Sequence, residues 1–266
     1  MNGWGMPFAA TMIGAKLVFP GIWSINDLKP IIDLMINEKI TRSNGVPSVW
    51  ISILNYLRSM SPKPHFNMKV VSGGSEPPVA MMRGGLSEFG IEVIHAYGST
   101  ETSPLSHVYV LKPKVIEKLR TEDEYWEHKA RQGLPMFPME RKVIDEYGYD
   151  IPWDGKTPGE LLERGPWVIK EYFNDQRTFG SFYGEGIDIW WRSGNAVVID
   201  GDGYMKIVDR LKDLIKSGGE WISSVDMENY LMAHPAVYEA TVVGVPHPKW
   251  GGERPLAFVV LKPEYN

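Results

Sequence analysis

Between Leu28 and Ile94 stretches with helical apolar spacing alternate with short apolar runs, and this alternation restricts the fold more than any other feature. Leu28, Ile31, Ile32, Met35 and Ile36 keep helical spacing, and a short apolar segment around Ile40 reads as a strand. Before them, Lys16-Leu17-Val18-Phe19 reads as a strand closed by Pro20-Gly21. Ser48 is placed to cap a second helix whose buried stripe is Val49, Trp50, Ile53, Leu54 and Leu57. Lys69-Val70-Val71 is a third strand, Val79, Met82 and Leu86 mark a further helix, and Glu92-Val93-Ile94 is a fourth strand. Such alternation predicts a parallel sheet covered on both faces, with ligands held beyond the carboxyl ends of its strands. Two loops fall there, Ser72-Gly73-Gly74-Ser75-Glu76-Pro77-Pro78 and the stretch from His95 to Pro104.

The second loop, His95-Ala96-Tyr97-Gly98-Ser99-Thr100-Glu101-Thr102-Ser103-Pro104, offers an aromatic ring, a glycine, hydroxyls and a carboxylate. Those groups stack on a base, let backbone approach a phosphate and hold a hard cation. A nucleotide site is one reading, and a strand-to-loop turn with an exposed tyrosine is the other.

Beyond a polar helix over residues 115–131 the texture changes. Lys142-Val143-Ile144-Asp145, Glu160-Leu161-Leu162-Glu163 and Ala196-Val197-Val198-Ile199 are short strands separated by Gly, Pro and Asp, as in a small antiparallel barrel or sheet. Asp200-Gly201-Asp202-Gly203 reads as a hairpin turn, since a calcium loop would need carboxylates at later positions. Ser223-Ser224-Val225-Asp226 matches a capping box opening a helix to about Ala233, and residues 237–245 and 256–262 are two more strands.

Composition excludes several function classes. A net charge of -5 with scattered Lys and Arg gives no footprint for nucleic acid. With no cysteine, disulfides, thiolate metal sites and a cysteine nucleophile are all impossible. No apolar stretch approaches the roughly 20 residues of a membrane-spanning helix, and no leader pattern opens the chain, so a cytoplasmic protein is expected. The six histidines show no metal spacing. A nicotinamide-dependent oxidoreductase is disfavoured because no Gly-x-Gly-x-x-Gly follows a strand.

Tyr97-Gly98-Ser99-Thr100-Glu101 resembles the central signature of the adenylate-forming superfamily, which includes acyl-CoA synthetases, luciferases and peptide-synthetase adenylation domains. Trp191-Arg192-Ser193-Gly194-Asn195 and Asp209-Arg210-Leu211-Lys212-Asp213 resemble two further signatures in the same order. The resemblance runs over nearly the whole chain and is nearest to medium- and long-chain fatty acyl-CoA synthetases, which join a carboxylate to AMP with release of pyrophosphate and then pass the acyl group to CoA. It implies ATP, Mg2+ and CoA as cofactors and a fatty acid or other apolar carboxylate as substrate. By resemblance, Tyr97 stacks on adenine, Thr100 contacts phosphate, and Glu101 binds magnesium, within a nucleotide segment that includes His95, Ala96 and Gly98. Gly74, Ser75, Glu76 and Pro77 resemble the adenine-side wall, and Arg210 the arginine that reaches the ribose. Lys212 matches the hinge position, and Lys216, Gly218, Gly219, Glu220 and Trp221 the loop that carries contacts to adenylate and the pantetheine arm. Trp4 resembles a gate tryptophan, and Val46 and Trp50 resemble acyl-pocket lining; ordinary core packing is the competing reading for all three.

The implied fold is α/β: residues 1–135 as a parallel α/β subdomain, 136–209 as a small antiparallel β-barrel subdomain, a hinge at 210–212, and 213–266 as an incomplete α+β C-terminal domain. Asn195 departs from the family pattern, where an aspartate accepts hydrogen bonds from both ribose hydroxyls. Ser193 stands where threonine is usual. The upstream phosphate loop and the downstream catalytic lysine of the family have no counterpart in the chain. Two functions are therefore expected: an acyl-CoA synthetase seen as an incomplete chain, or a non-catalytic acyl-adenylate-binding or interaction module on the same fold. Apolar surface over residues 4–19 would be uncovered, which implies a homodimer or a complementing N-terminal chain.

Overall fold

Met68–Ser72 and Ile91–Tyr97 are neighbouring parallel strands, as the apolar runs within them predict. The structure is a computed structural model and describes residues 5–218, 220–232, 234–248, 252–262 and 265. It divides into two compact units, residues 1–140 with 165–171, and residues 141–164 with 172–266.

In the first unit α1 (Met6–Met12) is followed by α2 (Lys29–Asn37), β1 (Arg42–Gly45), α3 (Pro47–Ser59), β2 (Met68–Ser72), α4 (Val79–Phe89) and β3 (Ile91–Tyr97). Then come β4 (His107–Val108), α5 (Pro113–Ile116), α6 (Glu122–Lys129) and β5 (Leu134–Pro135). The sheet order is β1-β2-β3-β4-β5; the first three strands are parallel and the last two antiparallel. Met68, Val70, Ile91 and Val93 enter one core with Ile32, Trp50, Ile53, Leu57, Met82 and Trp126 from the helices. The intervening Lys69 and Glu92 alternate away from that core, as the period of two along a strand requires.

Several local expectations differ. Residues 15–20 form no strand, because a strand needs a neighbour to pair with and hydropathy alone does not supply one. Ser48 is not a cap: Pro47 opens α3 and Val46 is the residue before it, which fits the preference of proline for a first helical turn. The helix expected over 115–131 is two helices, because Thr121 and Glu124 form a capping box that starts α6 afresh.

The second unit begins with β6 (Glu140–Ile144), whose first residue lies in the first unit, and continues with β7 (Gly159–Arg164), β8 (Phe182–Tyr183), β9 (Trp190–Ile199) and β10 (Met205–Arg210). They form a sheet in the order β10-β9-β7-β6, in which β9 runs antiparallel to β10, β7 and β8. The Asp200 to Gly203 stretch is the turn between β9 and β10; Asp200 Oδ1 accepts from the Asp202 and Tyr204 amides. The chain then makes β11 (Ile215–Ser217), β12 (Glu220–Ile222), α7 (Ser224–Met232), β13 (Val237–His247) and β14 (Gly252–Leu261). Ser223 Oγ accepts the Asp226 amide, so half of the expected capping box is present. Asp209, 3% exposed, takes the Ser224 amide and hydroxyl on one oxygen at 2.7 Å each, tying α7 to the end of β10.

Candidate adenylate site

Gly45, Ser72 and His95 are register partners across β1, β2 and β3, so the loops that leave these strands start side by side at the carboxyl edge of the parallel sheet. Val46 follows the first strand, and its Cγ1 lies 3.2 Å from where a Cβ on Gly74 would sit. Gly74 has φ +89, a conformation that L side chains rarely adopt, so its backbone favours glycine, and a Cβ there would also press on Val46. Glu76 accepts from Gln132 Nε2 at 3.3 Å, which links this wall loop to the segment before β5. Ser75 is exposed and Pro77 buried.

His95 is buried, and its Nδ1 lies 2.5 Å from the Ala130 carbonyl oxygen. Burial pushes its pKa down to about 4, against hydrogen bonds to the Ala130 and Arg131 backbone. The imidazole is thus neutral at pH 7 and acts as an anchor for the strand. Ala96 is buried beside it, and Tyr97, half-buried, stands edge-on to His107 with ring centroids 5.8 Å apart.

Gly98 begins a tightly closed loop. A Cβ there would lie 1.9 Å from the Pro104 carbonyl oxygen and 2.7 Å from the Leu105 Cα, so only glycine fits. Thr100, Glu101 and Thr102 form a single 310 turn. Thr102 is fully buried; its Oγ1 accepts the Ser99 amide at 2.9 Å and donates toward the Pro104 carbonyl at 3.1 Å. This leaves Thr100 exposed and Glu101 half-buried on a loop whose backbone is fixed from within. Such a loop presents a ring, a hydroxyl and a carboxylate within five residues. Among the described residues no three His, Asp or Glu side chains cluster as a metal site. A magnesium ion carried on nucleotide phosphates needs only one or two carboxylates, which Glu101 fits.

In the second unit, Asn195 and Arg210 are direct register partners on β9 and β10. The Asn195 amide nitrogen of the backbone donates to Ser193 Oγ at 3.1 Å, and its side-chain Nδ2 donates to the Ser193 carbonyl at 3.4 Å. Its side-chain donor is thereby turned onto its own strand. Arg192, inside the same motif, is held by Glu160, with Nε 3.0 and 3.1 Å from the two carboxylate oxygens. The Arg210 amide donates to Asp209 Oδ1 at 2.7 Å, and Leu211 donates to the Gly194 carbonyl at 2.9 Å. Lys212 is exposed in the turn that follows. Lys216 on β11 places its Nζ 4.7 Å from the centroid of Trp221 on the paired β12, with Gly218 at φ +60 in the turn. Trp4 and Gly219 lie outside the described residues, as does the side chain of Glu220.

Trp50 is 3% exposed, packs in the core of the first unit, and has its indole nitrogen 2.9 Å from a Cβ position on Gly45. Sequence reasoning missed the residues that fix the two loops: Gln132, which holds Glu76, and Thr102, His107, Trp167 and Ile169, which hold the central one. The motif spacing carries no signal for the last two, because they reach the loop from more than sixty residues away.

The AMP-binding enzyme family matches residues 1–173, and the family's C-terminal domain matches residues 226–266. The chain belongs to the AMP-binding enzyme family. Among curated family members, a long-chain-fatty-acid CoA ligase of Thermus thermophilus is 43% identical over 265 residues, covering 99% of this chain and 47% of the relative. A medium-chain-fatty-acid CoA ligase of Ectopseudomonas oleovorans is 40% identical, covering 99% and 46%. The solved o-succinylbenzoate CoA synthetase of Bacillus subtilis, in complex with its acyl-adenylate intermediate, superposes with a TM-score of 0.75 at 28% identity, covering 96% and 48%. The chain spans about half the length of the curated relatives it matches. Among the described residues, no helix is long and apolar enough to cross a membrane.

Proposed function

We propose that this chain carries the adenylate-handling part of a fatty acyl-CoA synthetase, which activates a carboxylate with ATP, releases pyrophosphate and transfers the acyl group to CoA. The observation that carries the reading is the closed Gly98 loop at the carboxyl end of β3, which presents Tyr97, Thr100 and Glu101 together. Tyr97 is assigned to adenine, Thr100 to phosphate, and Glu101 to magnesium, which when bound offsets the negative charge that develops at the α-phosphate. Gly74 to Pro77 are assigned to the adenine wall, and Asn195 and Arg210 to the ribose. Lys212 is assigned to the hinge, and Lys216, Gly218 and Trp221 to the loop that meets the thiol substrate. Val46 is assigned to the acyl pocket; Trp50 is kept there only as the wall behind it, given its burial.

The relatives named as long- and medium-chain fatty acid CoA ligases support an apolar carboxylate and CoA as substrates, and the AMP-binding family match together with an ATP-bound structural neighbour supports ATP; a cytoplasmic setting is part of the same proposal. Phe8, Met12, Ile13 and Phe19 are 68 to 86% exposed, which supports a second copy or a complementing chain over that surface. A second reading, a non-catalytic adenylate-binding module, is favoured by one feature, the Asn195 side chain turned onto Ser193.

Calorimetric titration with a non-hydrolysable octanoyl-adenylate analogue, with AMP and the acetyl analogue as controls, tests the proposal. Tighter binding of the octanoyl form supports it. A folded chain that binds none of the three overturns it.

A further inference from the structure

We propose that Trp167 is a positioning residue for the loop that carries Thr100 and Glu101, acting through a hydrogen bond at the outer edge of that loop. The inference rests on the adenylate reading, since it gives a role to a residue outside every motif. Inside the loop the backbone is already satisfied: Ser106 donates to the Tyr97 carbonyl at 3.0 Å, Thr102 to Ser99 at 3.2 Å, and Ser103 to Thr100 at 3.2 Å. Two carbonyls point outward instead. Glu101 accepts the Ile169 amide at 2.9 Å, and Leu105 accepts Trp167 Nε1 at 3.0 Å.

Both donors come from residues 165–171, a short segment that follows β7 in sequence yet belongs to the first unit. The segment is itself turned, with Val168 donating to Gly165 at 3.2 Å, and Gly165 packs against the Met139 side chain, whose Sδ would lie 2.3 Å from an added Cβ and would have to move. A rigid loop is thus pinned at two points, one of them the backbone of the glutamate assigned to magnesium. Holding that carbonyl restrains the backbone that carries the Glu101 side chain. Placement errors of about 1 Å at such a group cost on the order of a hundredfold in rate, so the pin bears on function and not only on stability. Trp167 is half-buried, and the indole nitrogen is the one hydrogen-bond donor of its side chain.

The test is Trp167→Phe, which keeps an aromatic ring and removes the donor, with Trp167→Ala as the coarser variant. Hydrogen exchange on the chain without nucleotide is read first. Loss of one net hydrogen bond predicts roughly tenfold faster exchange at the Ile169 and Ser106 amides, with the β2 and β3 amides unchanged. Binding is read second: affinity for ATP with magnesium falls about tenfold in Trp167→Phe, while AMP without magnesium binds within about twofold of the unsubstituted chain. Unchanged exchange at Ile169, or equal losses for both nucleotides, overturns the positioning role. Failure of the unsubstituted chain to bind either nucleotide defeats the adenylate reading itself, and that result appears before any variant is made.

Discussion

Lys129 is 3% exposed, and the group that makes its burial tolerable is Glu92 on β3, the strand that ends in Tyr97. Lys129 Nζ lies 2.9 Å from Glu92 Oε1, while Lys69 Nζ approaches Oε2 at 3.1 Å. The Tyr125 and Trp126 rings add cation–π contact at 5.7 and 5.8 Å. Replacing Glu92 with Gln leaves that ammonium buried without its carboxylate, a change that costs about 3–5 kcal/mol in buried pairs. Glu92 has a side-chain exposure of 32%, so partial solvation places the expected loss near the lower end, about 3 kcal/mol. At about 2–4 °C per kcal/mol for a chain of this size, the melting temperature should fall by about 6–12 °C. Lys129→Met combined with Glu92→Gln removes both charges and should recover most of the loss.

The pH dependence follows from the same pair. Burial acts to raise the Glu92 pKa, but Lys129 and then Lys69 outweigh it and hold the carboxyl below its usual value of 4.5. The folded value is therefore the lower one. The stabilisation is fully present above the unfolded pKa and is lost as pH falls through the folded one. Thermal melts between about pH 7 and 3 should show a steeper acid loss in the unsubstituted chain than in Glu92→Gln. A melting temperature in Glu92→Gln within about 1 °C of the parent, or a double variant worse than the single, would refute the argument.

Three other substitutions probe the site. Gly98→Ala must displace the Pro104 carbonyl, so AMP affinity should drop by about a hundredfold in a titration, and retained affinity would show that the loop is not the site. Asn195→Asp replaces a side-chain donor with a second acceptor and should tighten AMP about tenfold to a hundredfold; no change would remove the ribose from this position. Asp209→Ala frees the Ser224 amide and hydroxyl, and should cost about 1–2 kcal/mol in urea unfolding with faster proteolysis near Leu211; equal cleavage rates would count against the tie between β10 and α7.

Much of the fold was legible because periodicity reports burial. Val70 and Val93 are buried at the alternate positions where their strands meet the helices, and the Ile53, Leu54 and Leu57 stripe of α3 enters the same core. The strand expected at Lys16 to Phe19 shows the limit: its apolar residues satisfy the pattern, but no neighbouring strand pairs with it among the described residues. Local chemistry is carried by short runs such as Tyr97 to Glu101, and the hairpin expected at Asp200 to Gly203 is present; that it makes Asn195 and Arg210 register partners is a finding of the structure. What stayed hidden are the long-range restraints. Trp167 meets Leu105, Gln132 meets Glu76, and His95 meets Ala130 only after the chain has folded, and no spacing rule announces such pairs.

The most direct test of the central claim is photolabelling with 8-azidoadenosine monophosphate followed by peptide mapping. The account predicts that label falls on the peptide containing Tyr97 and that excess AMP prevents it. Label spread over other peptides, or label on the Tyr97 peptide that AMP does not displace, would contradict the assignment of this loop to adenine.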